Sequence, residues 1–208
     1  KIVNYKTDQE LFWATEFGNK YISRNQNWII NVPFFSKVIN RTTGLKSVIE
    51  FGCNIGLNLK ALDLLLPEVR LTGVEINKNA CNYLERTGEV SVINSSIFDY
   101  DEGKKTYDMS MIKCVLIHIN PTMLSDVYEK LYKSSNRYIL ISEYYNPSPV
   151  EVNYRGHNSR LFKRDFAGEM MDKYDNLILL DYGFLYHRDN NFQQDDINWF
   201  LLEKKIKE

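Results

Sequence analysis

The sequence has neither paired cysteines nor clustered histidines. Cys53, Cys81 and Cys114 form no C-x-x-C pair, and each lies in or beside an apolar run. Buried reduced thiols are therefore expected instead of a disulfide framework, which fits a cytoplasmic protein. The three histidines show no ligand spacing, so no metal is expected. No stretch of about eighteen uninterrupted apolar residues occurs, and the first residues carry no basic-then-apolar export pattern, so no membrane partner is expected. Charge of one sign is also lacking. The formal net charge is -1, with both signs mixed along the chain, which removes the electrostatic footprint of a nucleic-acid binder and leaves a small-molecule substrate. Internal repeats and low-complexity segments are absent, and 208 residues suit a single domain burying roughly 70% of its unfolded surface.

What is present is more specific. Ser47-Val48-Ile49-Glu50-Phe51 is a β-branched run that leads into Gly52-Cys53-Asn54-Ile55-Gly56, after which Leu57 to Leu66 has a helical apolar pattern. Without Cβ atoms, Gly52 and Gly56 permit unusual dihedrals and let a ligand approach the main chain. A second run, Gly73-Val74-Glu75-Ile76-Asn77, ends in a carboxylate suited to accept hydrogen bonds from a ribose diol, with Ile76 beside it for the base. The alternative for Glu75 is a surface salt bridge. Together the two motifs predict a nucleotide-type cofactor.

The rest of the chain alternates. Strands are predicted at 48–51, 70–75, 90–94, 107–115 and 137–143, with helices at 56–66, 77–86 and 121–133 between them, and this implies a mostly parallel sheet with helices on both faces. After a helix around 163–174 come two strands, 177–186 and 197–203, joined by the polar loop 187–196. With no helix between them they must pair antiparallel. The first forty-four residues, rich in aromatic and polar side chains, are expected to form a helical lid over the cleft of a core spanning 45–208.

These features resemble the class I S-adenosylmethionine-dependent methyltransferases, with their Rossmann-like, mostly parallel seven-stranded sheet ending in an antiparallel pair. The resemblance is closer to the methylases associated with pseudaminic-acid biosynthesis. It is carried by Phe12-Trp13-Ala14, Tyr21-Ile22-Ser23-Arg24-Asn25, Val115-Leu116-Ile117-His118-Ile119-Asn120-Pro121 and Glu143-Tyr144-Tyr145-Asn146-Pro147-Ser148-Pro149. Tyr154-Arg155-Gly156-His157 and Leu161 to Glu169 continue it. It implies S-adenosylmethionine as cofactor and methyl transfer to a small polar acceptor, such as a sugar or nucleotide-sugar intermediate.

Site roles follow from that resemblance. Glu50 is expected near the cofactor's amino-acid end, against the reading of a solvated or dipole-paired carboxylate. Gly52, Asn54 and Gly56 would form the turn beneath it, although Asn54 stands where many relatives carry glycine. Ser96 occupies the position of an acidic residue that often meets the adenine amine, and Ile97 offers its backbone amide and an apolar contact. Lys113 to Leu116, including Val115, should line the cleft beside the methyl group. Trp13, Tyr21 and Arg24 would cover the cofactor, the guanidinium being suited to its carboxylate; packing on the core with an exposed arginine is the alternative. His118 is a candidate base and Glu143 another, each with an equally available supporting role. Tyr144 could face the sulfonium by cation–π attraction and Tyr145 bound the acceptor pocket. Asn146 belongs to a rigid loop there, while Arg155 and His157 could hold an acidic group on the acceptor or belong to a solvated basic loop. Two other functions share the pocket: intramolecular cyclisation of the cofactor's amino-acid portion, and binding without turnover.

Overall fold

The computed structural model describes residues 5–23, 26–88, 90–101, 103 and 105–205. Arg24, one of the expected cofactor contacts, lies outside them. Seven strands form one sheet in the order β3-β2-β1-β4-β5-β9-β8, from β1 (Ser47–Phe51), β2 (Arg70–Glu75), β3 (Ser91–Asn94), β4 (Tyr107–Lys113), β5 (Ser135–Glu143), β8 (Leu177–Leu185) and β9 (Ile197–Lys204). The first five pair parallel, and β9 runs antiparallel to both β5 and β8. Every residue of β1 is buried, as a central strand covered on both faces requires.

Side chains alternate across the sheet with period two. Ile49, Phe51, Ile112, Ile139 and Ile141 enter one core together with Leu131 of α6 (Leu124–Ser134) and Met170 of α7 (Phe166–Lys173). Val48, Met109, Met111, Leu140 and Trp199 enter the other, with Leu59 and Leu62 of α4 (Leu57–Leu65) and Phe34, Phe35 and Val38 of α3 (Val32–Ile39). The segment before β1 is therefore divided. α3 is a core helix, whereas α1 (Asp8–Ala14) and α2 (Glu16–Ile22) lie at the strand ends.

The boundaries have local causes. Gly56 opens α4 at φ 75°, a left-handed conformation that favours glycine, and packs against Leu84 Cδ2. Asn77 caps α5 (Lys78–Thr87) by accepting from Asn79 N and Ala80 N at 3.0 and 3.1 Å. Asp165 caps α7 through Gly168 N at 2.9 Å, which starts that helix later than apolar periodicity suggests. The basic stretch expected as either substrate contact or loop is a hairpin, β6 (Val150–Tyr154) with β7 (His157–Lys163). Charged and polar residues on a two-stranded ribbon outside the main sheet hide the alternation that marks a half-buried strand.

Candidate functional site

At the carboxyl ends of β1 and β2 the chain makes two turns that share one carboxylate. β1 ends at Phe51; Gly52 N then donates to Val74 O at 2.8 Å, and Gly52 and Asn54 take φ of 74° and 48°. Asparagine is one of the few residue types other than glycine that enter the left-handed region at little steric cost. Its backbone N donates to Glu75 Oε2 at 2.7 Å, while Asn77 N donates to Oε1 at 2.7 Å. Glu75 is 7% exposed. Burial raises its pKa, and the amides of Asn77, Asn54 and Ile76 oppose that rise. The carboxylate thus fixes the glycine loop and keeps lone pairs for a ligand.

Above these turns lies a cavity of about 490 Å³, within the range of small-molecule and cofactor sites. Its floor includes Gly52, Asn54, Asn58, Glu75 and Ile76; Ser96 and Ile97 line the β3 side, and Lys113, Val115 and His118 the β4 side. Trp13, Tyr21 and Glu10 close it from α1 and α2. That wall is tied down at several points. Asn77 Nδ2 donates to Trp13 O at 3.2 Å and to Asn19 Oδ1 at 2.9 Å. Gly18 packs so closely that a Cβ would sit 1.8 Å from Trp13 O. Gln194, on the β8–β9 connection, donates through Nε2 to Ile30 O at 3.1 Å.

The β4 side is built around Glu143 and His118. Glu143 Oε1 accepts from Val115 N and Leu116 N at 2.9 Å each, and Oε2 from Ile117 N at 3.5 Å. The carboxylate is buried away from the cavity lining, so it orders the 3-10 turn Leu116–His118 and touches no cavity ligand. His118 is buried and lines the cavity. Its Nδ1 lies 2.5 Å from Arg160 O on β7. A carbonyl only accepts, so Nδ1 carries the proton and Nε2 keeps the lone pair. Burial lowers the pKa to about 4 against the opposing pull of that carbonyl, and the ring stays neutral at physiological pH. The Trp13 and Tyr154 rings flank it at 4.7 and 4.9 Å.

Glu50 and Gly56 stand behind the cavity lining. Glu50 Oε1 accepts from Asn58 Nδ2 at 2.6 Å, and Asn58 itself faces the cavity. Tyr144 is half-buried outside the lining, under Lys163 Nζ at 5.2 Å from its ring centroid, and Asp195 lies close enough to help raise its pKa. Tyr145 is exposed and bridges to Arg164, and Asn146 Nδ2 donates to Ser148 O at 2.5 Å. Arg155 lies at the hairpin tip with its guanidinium over Tyr154 at 5.7 Å. His157 begins β7, and its side chain lies outside the description. Sequence reasoning passed over Glu10, Asn58, Asn77, Gln194 and Asp195, all of which line the cavity. Thr7-x-x-Glu10 was findable, because it has the spacing of a capping box.

Two buried acids make stability fall with rising pH. Burial lifts both Glu50 and Glu143 from 4.5 to about 7. Folded-state pKa values above the unfolded ones mean that the folded chain holds more protons between these limits. The stabilisation is fully present below about pH 4.5 and is lost as pH rises through about 7. Thermal melts across pH 5 to 8 should show a falling midpoint, flattened in Glu50→Gln; a midpoint that rises over that window would contradict the assignment.

Among the described residues no group of His, Cys, Asp and Glu is placed to hold a metal ion, and no helix is long and apolar enough to cross a membrane. No protein-family profile and no curated protein matches the sequence. Many solved structures do match its fold. A SAM-dependent methyltransferase of Leishmania major superposes with a TM-score of 0.72 at 15% identity, covering 93% of this chain and 81% of that one. The plantazolicin methyltransferase BpumL in complex with SAH gives 0.67 at 15% identity over 95% and 94%. The magnesium protoporphyrin IX methyltransferase ChlM from Synechocystis PCC 6803 with bound SAM gives 0.66 at 12% identity over 98% and 100%. With the sheet order and antiparallel ending described above, these likenesses give the chain the Rossmann-like fold of the class I S-adenosylmethionine-dependent methyltransferases.

Proposed function

We propose that this protein is an S-adenosylmethionine-dependent methyltransferase acting on a small polar acceptor. The observation that carries this reading is the buried Glu75 carboxylate, bonded to both cofactor-side turns within a cavity at the strand ends. The residues also fit the group on other grounds. Trp13 Nε1, Asn54 Oδ1 and Gln194 Oε1 border the cavity as buried polar atoms without a hydrogen-bond partner, an arrangement that a polar ligand relieves. A Cβ on Gly52 would meet Val115 Cγ2 at 2.6 Å, so only glycine leaves the main chain bare at this point.

When bound, S-adenosylmethionine supplies a methyl group already activated on a sulfonium sulfur. The work left to the chain is binding, alignment and proton removal. Glu75 accepts from the ribose hydroxyls, and Ile76 and Ile97 provide apolar surface for the base. Lys113 makes no ion pair among the described residues and is placed to meet the carboxylate of the amino-acid portion. Trp13, Tyr21 and the α1–α2 corner keep water out. His118, neutral and with Nε2 carrying the lone pair, takes a proton from the acceptor.

The sequence resemblance, together with Arg155 at the hairpin tip, supports an acidic sugar or nucleotide-sugar as the acceptor. Two of the solved proteins of this fold are named for plantazolicin and magnesium protoporphyrin IX, and neither compound is assigned to this chain. Calorimetry with S-adenosylhomocysteine and with NAD tests the cofactor: micromolar binding of the first and none of the second is expected, and the reverse would overturn the reading. Mass spectrometry after incubation with S-adenosylmethionine and a metabolite extract then separates a methylated acceptor from the methylthioadenosine of a cyclisation.

A further inference from the structure

The β3 end of the cavity holds a carboxylate that does not come from β3. Glu10 on α1 is 7% exposed and lines the cavity. Its Oε2 is occupied by Lys6 N and Thr7 N at 2.5 and 3.1 Å, and its Oε1 accepts from the Ser96 hydroxyl. The Ser96 proton is thereby committed, and its oxygen also accepts from Phe98 N at 3.1 Å. Asp99, the acid that follows on the same loop, is turned away: it is paired with Lys6 at 2.6 Å with its side chain 56% exposed, outside the cavity lining. An ionised carboxylate only accepts hydrogen bonds, so the group facing the remaining lone pair of Oε1 must be a donor.

This inference rests on the cofactor reading above. Glu75, Ile76, Ile97, Ser96 and Glu10 line the same cavity, so a base packed on Ile76 and Ile97 with its ribose on Glu75 would present its edge to Ser96 and Glu10. We infer that Glu10 recognises the exocyclic amine of the adenine, so that the amino-terminal helix makes the site select a 6-amino purine over a 6-oxo purine. A 6-oxo group would set an acceptor against the remaining lone pair of Oε1, the kind of mismatch that gives the largest discrimination.

The test is calorimetry of wild type, Glu10→Gln and Thr7→Ala with S-adenosylhomocysteine and its 6-oxo counterpart S-inosylhomocysteine. Wild type should prefer the amino compound by at least roughly 100-fold. Glu10→Gln should shrink that preference at least about tenfold, because a carboxamide N–H can donate to O6. Thr7→Ala removes the capping hydroxyl but keeps the carboxylate, so it should retain the preference. The ratio of affinities is independent of the folded fraction, which guards against a destabilised variant. Equal binding of both ligands by wild type, an unchanged ratio in Glu10→Gln, or a ratio lost equally in Thr7→Ala would each overturn the inference while leaving the cofactor reading intact. Binding of neither ligand by wild type would overturn both.

Discussion

Replacing Glu75 by glutamine is expected to weaken S-adenosylhomocysteine binding by roughly 10- to 10²-fold. The carboxylate has two oxygens, each already accepting one backbone N–H at 2.7 Å and each with capacity for one ribose hydroxyl. A carboxamide of the same shape keeps a single acceptor. Its NH₂ group would point at either Asn54 N or Asn77 N, so one turn is repelled and one ligand bond is lost. One ligand hydrogen bond to a charged group is worth about 1.5 to 3 kcal/mol, which converts to the stated range at about 1.4 kcal/mol per tenfold. Calorimetry measures it, and circular dichroism verifies that the sheet persists. A loss of less than about threefold would mean that no ligand hydroxyl reaches this carboxylate.

Trp199→Ala should be the most damaging single truncation for stability. The indole is 1% exposed on β9, edge-on to Phe34 at 5.9 Å, and directly opposite Gly183 in the β8 register. A Cβ on Gly183 would approach the indole nitrogen to 2.7 Å, so the sheet has omitted a side chain there to admit a large one. Losing the ring leaves a cavity that β8 and α3 cannot both move to fill. Large aromatic truncations in cores cost about 3 to 5 kcal/mol, and at about 2 to 4 °C per kcal/mol for a domain of this size the melting midpoint should fall by roughly 6 to 20 °C. Differential scanning calorimetry reads the shift directly. A drop of under 2 °C would show that the neighbouring residues close the gap.

Where the sequence was readable, it was readable for local reasons. Period-two alternation, the bare glycines around Asn54 and the carboxylate ending β2 are properties of single short segments, and they led to the sheet, the turn and Glu75. The hairpin of β6 and β7 was hidden because it is a ribbon beside the sheet, without the buried face that would write an apolar alternation. From its strand-end position Glu143 could be a cleft base or a structural carboxylate; three amides of the turn after β4 claim it, and no spacing announces such a contact across 26 to 28 residues. Glu10 was missed for a related reason. Its capping box was legible, but that its spare oxygen reaches Ser96, 86 residues away, depends on how α1 docks. Expecting the whole amino-terminal segment over the cleft likewise overlooked that α3 carries Phe34, Phe35 and Val38 as an apolar stripe for the core.

The hairpin also sets an order of events during synthesis. Gln9 Nε2 donates to Ser159 O at 3.0 Å, across 150 residues of chain, and the neighbouring carbonyl of Arg160 holds His118. Contacts of that span bear the greatest loop-closure cost and form late. Until β6 and β7 have been made, α1 has no hairpin to rest on. Only after residue 160 has been made can α1, through Gln9, and His118 be locked by two adjacent carbonyls. A chain truncated before the hairpin would keep the glycine turn, Glu75 and the ties from Asn77 to α1 and α2, but would lose the two carbonyls that hold Gln9 and His118.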